Sequence, residues 1–434
     1  MGILEVFIAF VAGLGLLLIG IPIGAVMVAL GTVGGVLAFG TPFIESIGNV
    51  VWGVQNENIL TAIPLFVLMG EILLRSGIAD RMYGALSVWL GRLPGGLLHT
   101  NIGCCSLFAA TTGSSVATAA TIGTVALPAL NERGYPKHQS LGSLAAGGTL
   151  GILIPPSIAL LIYGSLTNNS ISQLFVAGVI PGLLLTACFM IYIAVAHVMA
   201  GGPRTVLPPP TWRDRFQALF ALIPPLVIFV IVMGSIYFGI ATPTESAALG
   251  VVTALGFAAL ERQLTFATLH KAFVRTAELT GMILLIIVGA FVLNLTLSLL
   301  GVAQIMTQWV VSLGLSLTSL LLVMIGFYLI LGCFLEVLSI QVATIPISYP
   351  IVTAAGGDPI WFGIFIVLMS EIAMITPPVG MNLYVVQGVR QDGGQIGEIM
   401  RGTIPFVVIM LAFTLLLIAF PELALWLPGK MIGV

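Results

Sequence analysis

Charge is what this sequence has least of. Of its 434 residues only 7% are Asp, Glu, Lys or Arg, against roughly a quarter in soluble domains. That shortage excludes a soluble globular chain. With 14 basic and 16 acidic residues the net charge is -2, so there is no basic surface for nucleic acid, and no nucleic-acid partner is expected. Histidine and cysteine are equally scarce, at four each. Cys104, Cys105, Cys188 and Cys333 all fall in apolar segments, and the vicinal pair has no metal-ligand spacing. His99, His138, His197 and His270 lie near predicted membrane edges or in loops. An intramembrane enzyme would have neither a central base nor a transition-metal site to work with. The N-terminus lacks a basic n-region, so its first apolar run reads as a retained membrane helix rather than a cleaved signal.

Apolar residues fill the space that charge leaves. They make up 59% of the chain, with 51 glycines and 24 prolines among the rest. The runs are about 20 residues long, which suits membrane helices rather than barrel strands. Spans are predicted at 3–20, 22–40 and 59–75, with a polar connection at 41–58. An amphipathic interfacial helix follows over 76–95. Residues 97–110 and 116–130 are apolar arms of about 14 residues, too short for a comfortable crossing. They read as a re-entrant hairpin with Thr111-Thr112-Gly113-Ser114-Ser115 at its tip. A long run at 139–165, a span at 171–199 and a hydrophilic linker at 201–215 complete the first half.

The second half repeats the order: spans at 217–238 and 243–260, a charged stretch at 262–278 and a span at 280–300. An interfacial piece at 301–316 leads to a second hairpin, 317–335 and 339–354, with Glu336 at its tip. A run at 360–388 and a span at 404–427 close the chain. Pro155 and Pro377 are 222 residues apart, Pro22 and Pro243 221, Gly91 and Gly314 223. Each half has five crossings and one hairpin. Because five is odd, the second half enters from the opposite side, which makes an inverted repeat. With the N-terminus outside, thirteen of the fourteen Lys and Arg residues are cytoplasmic, Lys430 being the exception.

Two Pro-Pro pairs interrupt the long runs, Pro155-Pro156 and Pro377-Pro378. Proline removes a backbone donor and clashes with the preceding turn, so both runs are expected to be broken helices. Freed amides and carbonyls are tolerated at membrane depth only inside protein or in a wet cavity. The first tip offers hydroxyls and carbonyls, hard donors for a small cation such as Na⁺, and the half-helix ends favour a cation on one side and an anionic group on the other. Close packing of small residues is the alternative for the tip. Glu336 and Glu371 are intramembrane carboxylates that either bind a cation or titrate; for Glu371 the alternative is a structural partner of backbone amides at the break. Tyr163 and Asn382 sit just past the breaks. No Lys or Arg falls at a tip or break, so an anionic substrate is expected to be held by backbone amides, helix N-termini, hydroxyls and bound cations.

The runs TGSSVATAATIG (112–123) and GTLGILIPPSIALLIYG (148–164), with LEVLSIQVATIPISYPIV (335–352) and SEIAMITPPVGMNLYV (370–385), resemble the signatures of the large membrane subunit of tripartite ATP-independent periplasmic (TRAP) transporters. The resemblance covers essentially the whole chain. Glu336 departs from the family pattern, which more often has Asp at the second tip. What the resemblance implies is an all-α elevator-type carrier in the bacterial inner membrane, with a periplasmic N-terminus. Na⁺ sites are expected from Thr112, Gly113, Ser114, Ser115 and Gly151, and from Glu336, Ser339, Thr376 and Gly380. Substrate contacts are expected from Ser114, Pro155, Pro156, Ser157, Pro377, Pro378 and Asn382. Residues 1–75, 169–300 and 391–434 would be scaffold, 96–168 and 317–390 the mobile unit, and 76–95 and 301–316 the connecting arms. The implied partners are a small membrane subunit and an extracytoplasmic substrate-binding protein, and the implied cargo an organic acid anion such as a dicarboxylate or sialic acid. Na⁺ is the coupling ion, and no cofactor is expected. The competing reading is a carrier or cation/proton antiporter working alone through Glu336 and Glu371.

Overall fold

The structure, a computed structural model, describes residues 3–200 and 210–431, and among these it is helical with no strand. In the first half α1 (Ile3–Leu18) and α2 (Ile23–Phe39) are followed by α3 (Phe43–Gln55), a 3₁₀ turn at Asn58–Thr61 and α4 (Ala62–Arg75). Next come α5 (Ile78–Leu90), the hairpin α6 (Leu97–Thr112) and α7 (Ser115–Glu132), the broken pair α8 (Lys137–Thr149) and α9 (Ile158–Thr167), and α10 (Ile171–Met199). The second half runs α11 (Trp212–Tyr237), α12 (Pro243–Leu260), α13 (Phe266–Leu299) and α14 (Val302–Ser312). It continues with the hairpin α15 (Leu317–Gly332) and α16 (Val337–Ala354), the broken pair α17 (Pro359–Ile375) and α18 (Met381–Val389), then α19 (Ile396–Ala419) and α20 (Glu422–Leu425).

The duplication is visible in the helix ends. α7 and α16 both start and stop 222 residues apart, α8 and α17 start 222 apart, and α5 and α14 end 222 apart. Packing is reciprocal as well. α7 of the first hairpin lies on α18 of the second broken pair, and α16 of the second hairpin lies on α9 of the first. α8 packs on α19 and α17 on α10 in the same crossed manner. The fold is an inverted repeat with two hairpins and two broken helices. Among the described residues seven helices are long and apolar enough to cross a membrane, and Ile23–Phe39, Ile158–Thr167 and Pro359–Ile375 are shorter apolar ones. The chain is therefore a multi-pass membrane protein.

Several expected boundaries need correction. The polar connection at 41–58 is mostly the helix α3, with Phe43 and Val54 buried. Apolar residues at helical spacing, Phe43, Ile47, Val50 and Val54, outweigh the polar positions Glu45, Ser46 and Asn49 there. The charged stretch at 262–278 and the span at 280–300 are one 34-residue helix, α13. It corresponds to α3 and α4 fused, since Phe43 and Phe266 begin the paired segments. The arms of the first hairpin are 16 and 18 residues rather than about 14, because the hydroxyl-bearing residues Thr111, Thr112 and Ser115 remain helical. The last span starts at Ile396, not 404, and ends at Ala419. Residues 211–215 of the linker already belong to the start of α11, where Thr211 and Asp214 form a capping box; residues 201–209 lie outside the described part.

Glycine lets α2 and α13 meet backbone to backbone. A Cβ on Gly31 would come 2.8 Å from the Leu293 nitrogen, and one on Gly289 2.7 Å from the Gly24 carbonyl oxygen. The Thr296 hydroxyl donates to the Gly31 carbonyl at 2.7 Å across this seam. Small residues of this kind let membrane helices pack closely.

Candidate cation and substrate sites

The first tip forms because Gly113 ends α6 in the left-handed region, at φ 62°, and Ser114 starts α7 as an N-cap. The Ser114 hydroxyl accepts from the Ala117 amide at 3.4 Å. The first break follows the end of α8. Leu150, Gly151 and Ile152 each donate to the carbonyl three residues back, at 3.1 to 3.2 Å, which tightens the chain into 3₁₀-type turns. Pro155 and Pro156 carry no amide to continue the helix, and the Ser157 hydroxyl caps α9 through the Leu160 amide while donating to the Ile152 carbonyl.

Tip and break meet. The Ser115 hydroxyl donates to the Thr149 carbonyl at 3.0 Å. A Cβ on Gly151 would stand 2.7 Å from the Ser114 carbonyl oxygen, and one on Gly113 2.6 Å from that of Pro156. The structure thus brings Gly113, Ser114, Ser115 and Gly151 into one cluster, with carbonyls of residues 114, 149 and 156 gathered round it. Thr112 joins at its edge, its hydroxyl 3.1 Å from that of Thr118. Such a set of neutral oxygens is chemically suited to a hard monovalent cation.

The second tip is built differently. Glu336 is itself the N-cap of α16, and its carboxylate accepts from the Ser339 amide and hydroxyl, both at 3.1 Å. At the second break the Thr376 hydroxyl donates to Ile372 at 2.6 Å, and the Gly380 amide to the Thr376 carbonyl at 3.2 Å. Tip and break are linked by the Cys333 thiol, 3.3 Å from the Pro377 carbonyl. Glu336 and Ser339 therefore form one pair and Thr376 and Gly380 another.

A cavity of about 500 Å³ joins the two halves of the site. Thr112 to Ala117 of the first tip and Glu336, Val337 and Leu338 of the second line it, with Ile152, Ile158, Met374 and Met381 beside the breaks. Of the expected substrate contacts, Ser114 faces this cavity. Pro155, Pro156 and Ser157 are buried behind it and are not part of its lining. Pro377 is half-buried, Pro378 exposed, and Asn382 is buried with its amide donating to the Ala145 carbonyl at 3.1 Å. Tyr163 is buried and donates to Pro359 at 2.6 Å, tying the two broken pairs together. Glu371 is fully buried, and the group that offers its carboxylate a hydrogen bond is the Leu153 backbone amide at the first break.

No Lys or Arg lies at a tip or break, as the sequence has it, but charged residues from other helices line the cavity. Glu71 and Arg75 of α4 and Arg275 of α13 line the same cavity. α4 runs so close to the tip that a Cβ on Gly70 would be 3.2 Å from the Thr112 Cα. These residues are distant from the tips in sequence, and only the packing of α4 and α13 places them there. Glu71 carried a signal all the same: it is a carboxylate inside the apolar segment Asn58–Arg75, subject to the argument that singles out Glu336 and Glu371.

Outside the membrane helices, Asp392 sits in the loop after α18. Hydrogen bonds from Arg390 and then Lys137 hold its carboxyl well below the usual carboxylate range. Lys137 opens α8 and reaches Asp392 at 2.6 Å, so this loop ties the outer ends of both broken pairs.

Comparison with known proteins gives a consistent picture. The family model "Tripartite ATP-independent periplasmic transporter, DctM component" matches residues 10–423. A C4-dicarboxylate TRAP transporter large permease protein of Pseudomonas aeruginosa is 35% identical over 396 residues, covering 91% of this chain and 92% of that one. A sialic acid TRAP transporter large permease protein of Vibrio cholerae is 30% identical, covering 97% of each. Among solved structures, the YdaH transporter of Alcanivorax borkumensis superposes with a TM-score of 0.66 at 14% identity, over 95% of this chain and 99% of that one. That likeness concerns the fold alone.

Proposed function

Because the chain belongs to the family of DctM components of tripartite ATP-independent periplasmic transporters, we propose that it is a large membrane subunit driving Na⁺-coupled uptake of an organic acid anion. An extracytoplasmic binding protein delivers the anion, and a small membrane subunit completes the complex. The observation that carries this reading is the convergence of both tips on one cavity, each tip joined to its own break. Cation and substrate then share a site, so binding of one favours the other. Cluster one (Thr112, Gly113, Ser114, Ser115, Gly151) and cluster two (Glu336, Ser339, Thr376, Gly380) each take a cation. The anion is a dicarboxylate, a sialic acid or a related carboxylate. The hairpins and broken pairs, 96–168 and 317–390, move as one unit against the remaining helices, an elevator motion. The helices α5 and α14 act as its arms, and the chain bends by 118° from α14 into α15. The protein resides in the bacterial inner membrane with the N-terminus periplasmic, the orientation that the Lys and Arg distribution favours.

Glu371 favours a second reading. A fully buried carboxylate with no cationic partner beside it suits a carrier that works alone and exchanges protons or cations through Glu336 and Glu371. Reconstituting the chain in liposomes with its small subunit, with and without the binding protein, under Na⁺ or pH gradients separates the two. Uptake that needs both the binding protein and the Na⁺ gradient is the expected result. Uptake without the binding protein, driven by a pH gradient alone, would replace the first reading with the second.

A further inference from the structure

The cavity wall facing the tips carries charges that the cation clusters do not use. Glu71 and Arg75, one helical turn apart on α4, are ion-paired, and Glu71 is only 8% exposed. Arg275 on α13 lies within electrostatic reach of Glu71. Its own ion-pair partner is Glu278, 3.0 Å away on the next turn and outside the cavity lining. The side chains of Arg275 and Glu278 are 51% and 58% exposed.

The two arginines are therefore differently committed. Taking Arg75 from Glu71 would leave a buried carboxylate unpaired, which is strongly unfavourable. Both side chains of the Arg275–Glu278 pair are more than half exposed, and an exposed pair contributes little by itself, so another carboxylate can displace Glu278 at small cost. A guanidinium matches a carboxylate with two parallel hydrogen bonds, which an ammonium cannot do. Arg275 also lines the same cavity as Ser114 and Glu336, so an anion held near the tips has this one exchangeable cation in front of it.

We propose that Arg275 is a specificity-determining receptor for the substrate's carboxylate, which it binds in exchange for Glu278. Its ligand is a small organic carboxylate, and the inference rests on the anion-carrier reading above. Arg75 and Glu71 stay paired and hold the wall, while Glu278 competes with the substrate and sets how readily Arg275 lets go. Removing Arg275 and removing Glu278 should then have opposite effects on anion affinity. A purely structural ion pair would make the two variants alike.

The test uses the purified full-length subunit in saturating NaCl, titrated with succinate and with N-acetylneuraminate, reading the ligand-induced rise in unfolding temperature. Arg275→Gln should raise the half-saturating concentration of the responding anion about ten- to a hundredfold. Arg275→Lys, which keeps the charge and loses the fork, should fall between Gln and wild type. Glu278→Gln should lower it about two- to fivefold. Measured without anion, the Na⁺ concentration for half-maximal stabilisation should be unchanged in all three. If Arg275→Gln and Glu278→Gln shift anion affinity in the same direction, or neither shifts it, Arg275 is not the receptor and the carrier reading stands. If wild type responds to neither anion in the presence of Na⁺, the carboxylate reading and the role of Arg275 fall together.

Discussion

At the first break, residues 150–157 are all buried, serine hydroxyls cap both α7 and α9, and Ser115 ties tip to break through the Thr149 carbonyl. At the second, Thr376 and Pro377 are half-buried, Pro378 and Val379 are exposed, and α18 has Gly380 at its N-cap and so no side-chain cap. Its tip is capped by a carboxylate instead of a hydroxyl. The two regions descend from one pattern and are built to different tightness. A cluster locked by neighbours on every side is pre-organised and loses little entropy when a ligand arrives. A looser one must order itself on binding, and that ordering can report occupancy to the rest of the chain.

Replacing the Pro-Pro pairs gives the largest contrast. Each proline disfavours a helix interior by about 3 kcal/mol relative to alanine, so Pro155-Pro156→Ala-Ala and Pro377-Pro378→Ala-Ala both favour a continuous helix. We expect Na⁺-dependent uptake to fall to background in both. The unfolding temperature should drop for the first pair, where the buried Leu153 carbonyl packs on Gly178, and hold or rise for the exposed second. Normal uptake per folded molecule in either variant would remove that break from the mechanism.

A methyl group at the glycine of each cluster makes a finer comparison. At Gly151 it would press within 2.8 Å of backbone atoms of both Ser114 and Ser115. At Gly380 the nearest atoms are at 3.0 Å and include the flexible end of Leu383. Overpacking in a filled interior costs about 1–3 kcal/mol. Gly151→Ala should therefore raise the Na⁺ needed for half-maximal uptake about five- to a hundredfold, and Gly380→Ala by less. A larger effect at Gly380 would reverse the assignment of the rigid and the adaptable site.

The smallest effect is expected where the two broken pairs share a tether. Asp392→Asn should cost at most about 1 kcal/mol at neutral pH, as partly exposed ion pairs do. Arg390 and Lys137 depress the Asp392 carboxyl in the folded chain, so its contribution is present above the unfolded value of about 3.9. It is lost only as pH falls below that towards the folded value. Unfolding temperatures of wild type and variant should differ by a constant amount above that pH and converge below it. A difference that grows on acidification would place the tether elsewhere.

The order of elements and both interruptions were legible because local chemistry announces them. Pro-Pro stops a helix, Gly113 ends one, and Ser114 and Ser157 start the next, all within a few residues. The 222-residue offset was equally plain. Less legible was α3, whose apolar residues alternate with polar ones closely enough to resemble a loop. The unity of α13 was hidden as well, since Lys271, Arg275 and Glu278 interrupt the hydropathy without interrupting the backbone. The charged wall of the cavity was out of reach for a different reason. Arg75 and Arg275 are 200 residues apart, and no local rule brings α4 beside α13. Sequence placed both on the wet side of the membrane by charge alone, and did not show that the cavity opens towards them.

The fusion of α13 has a mechanical consequence. At 1.5 Å per residue, 34 residues make a rod about 51 Å long, well beyond a hydrocarbon layer of about 30 Å. The first half meets the same span with a joint, the 3₁₀ turn at Asn58–Thr61 between α3 and α4. A joint lets α3 and α4 turn separately, whereas an unbroken helix moves its two ends together. The Gly31 crossing holds the apolar end of α13 against α2, and Arg275 stands on the same helix nearer its other end. The position of that guanidinium is thereby tied to the seam with α2, a linkage that the jointed first half does not have.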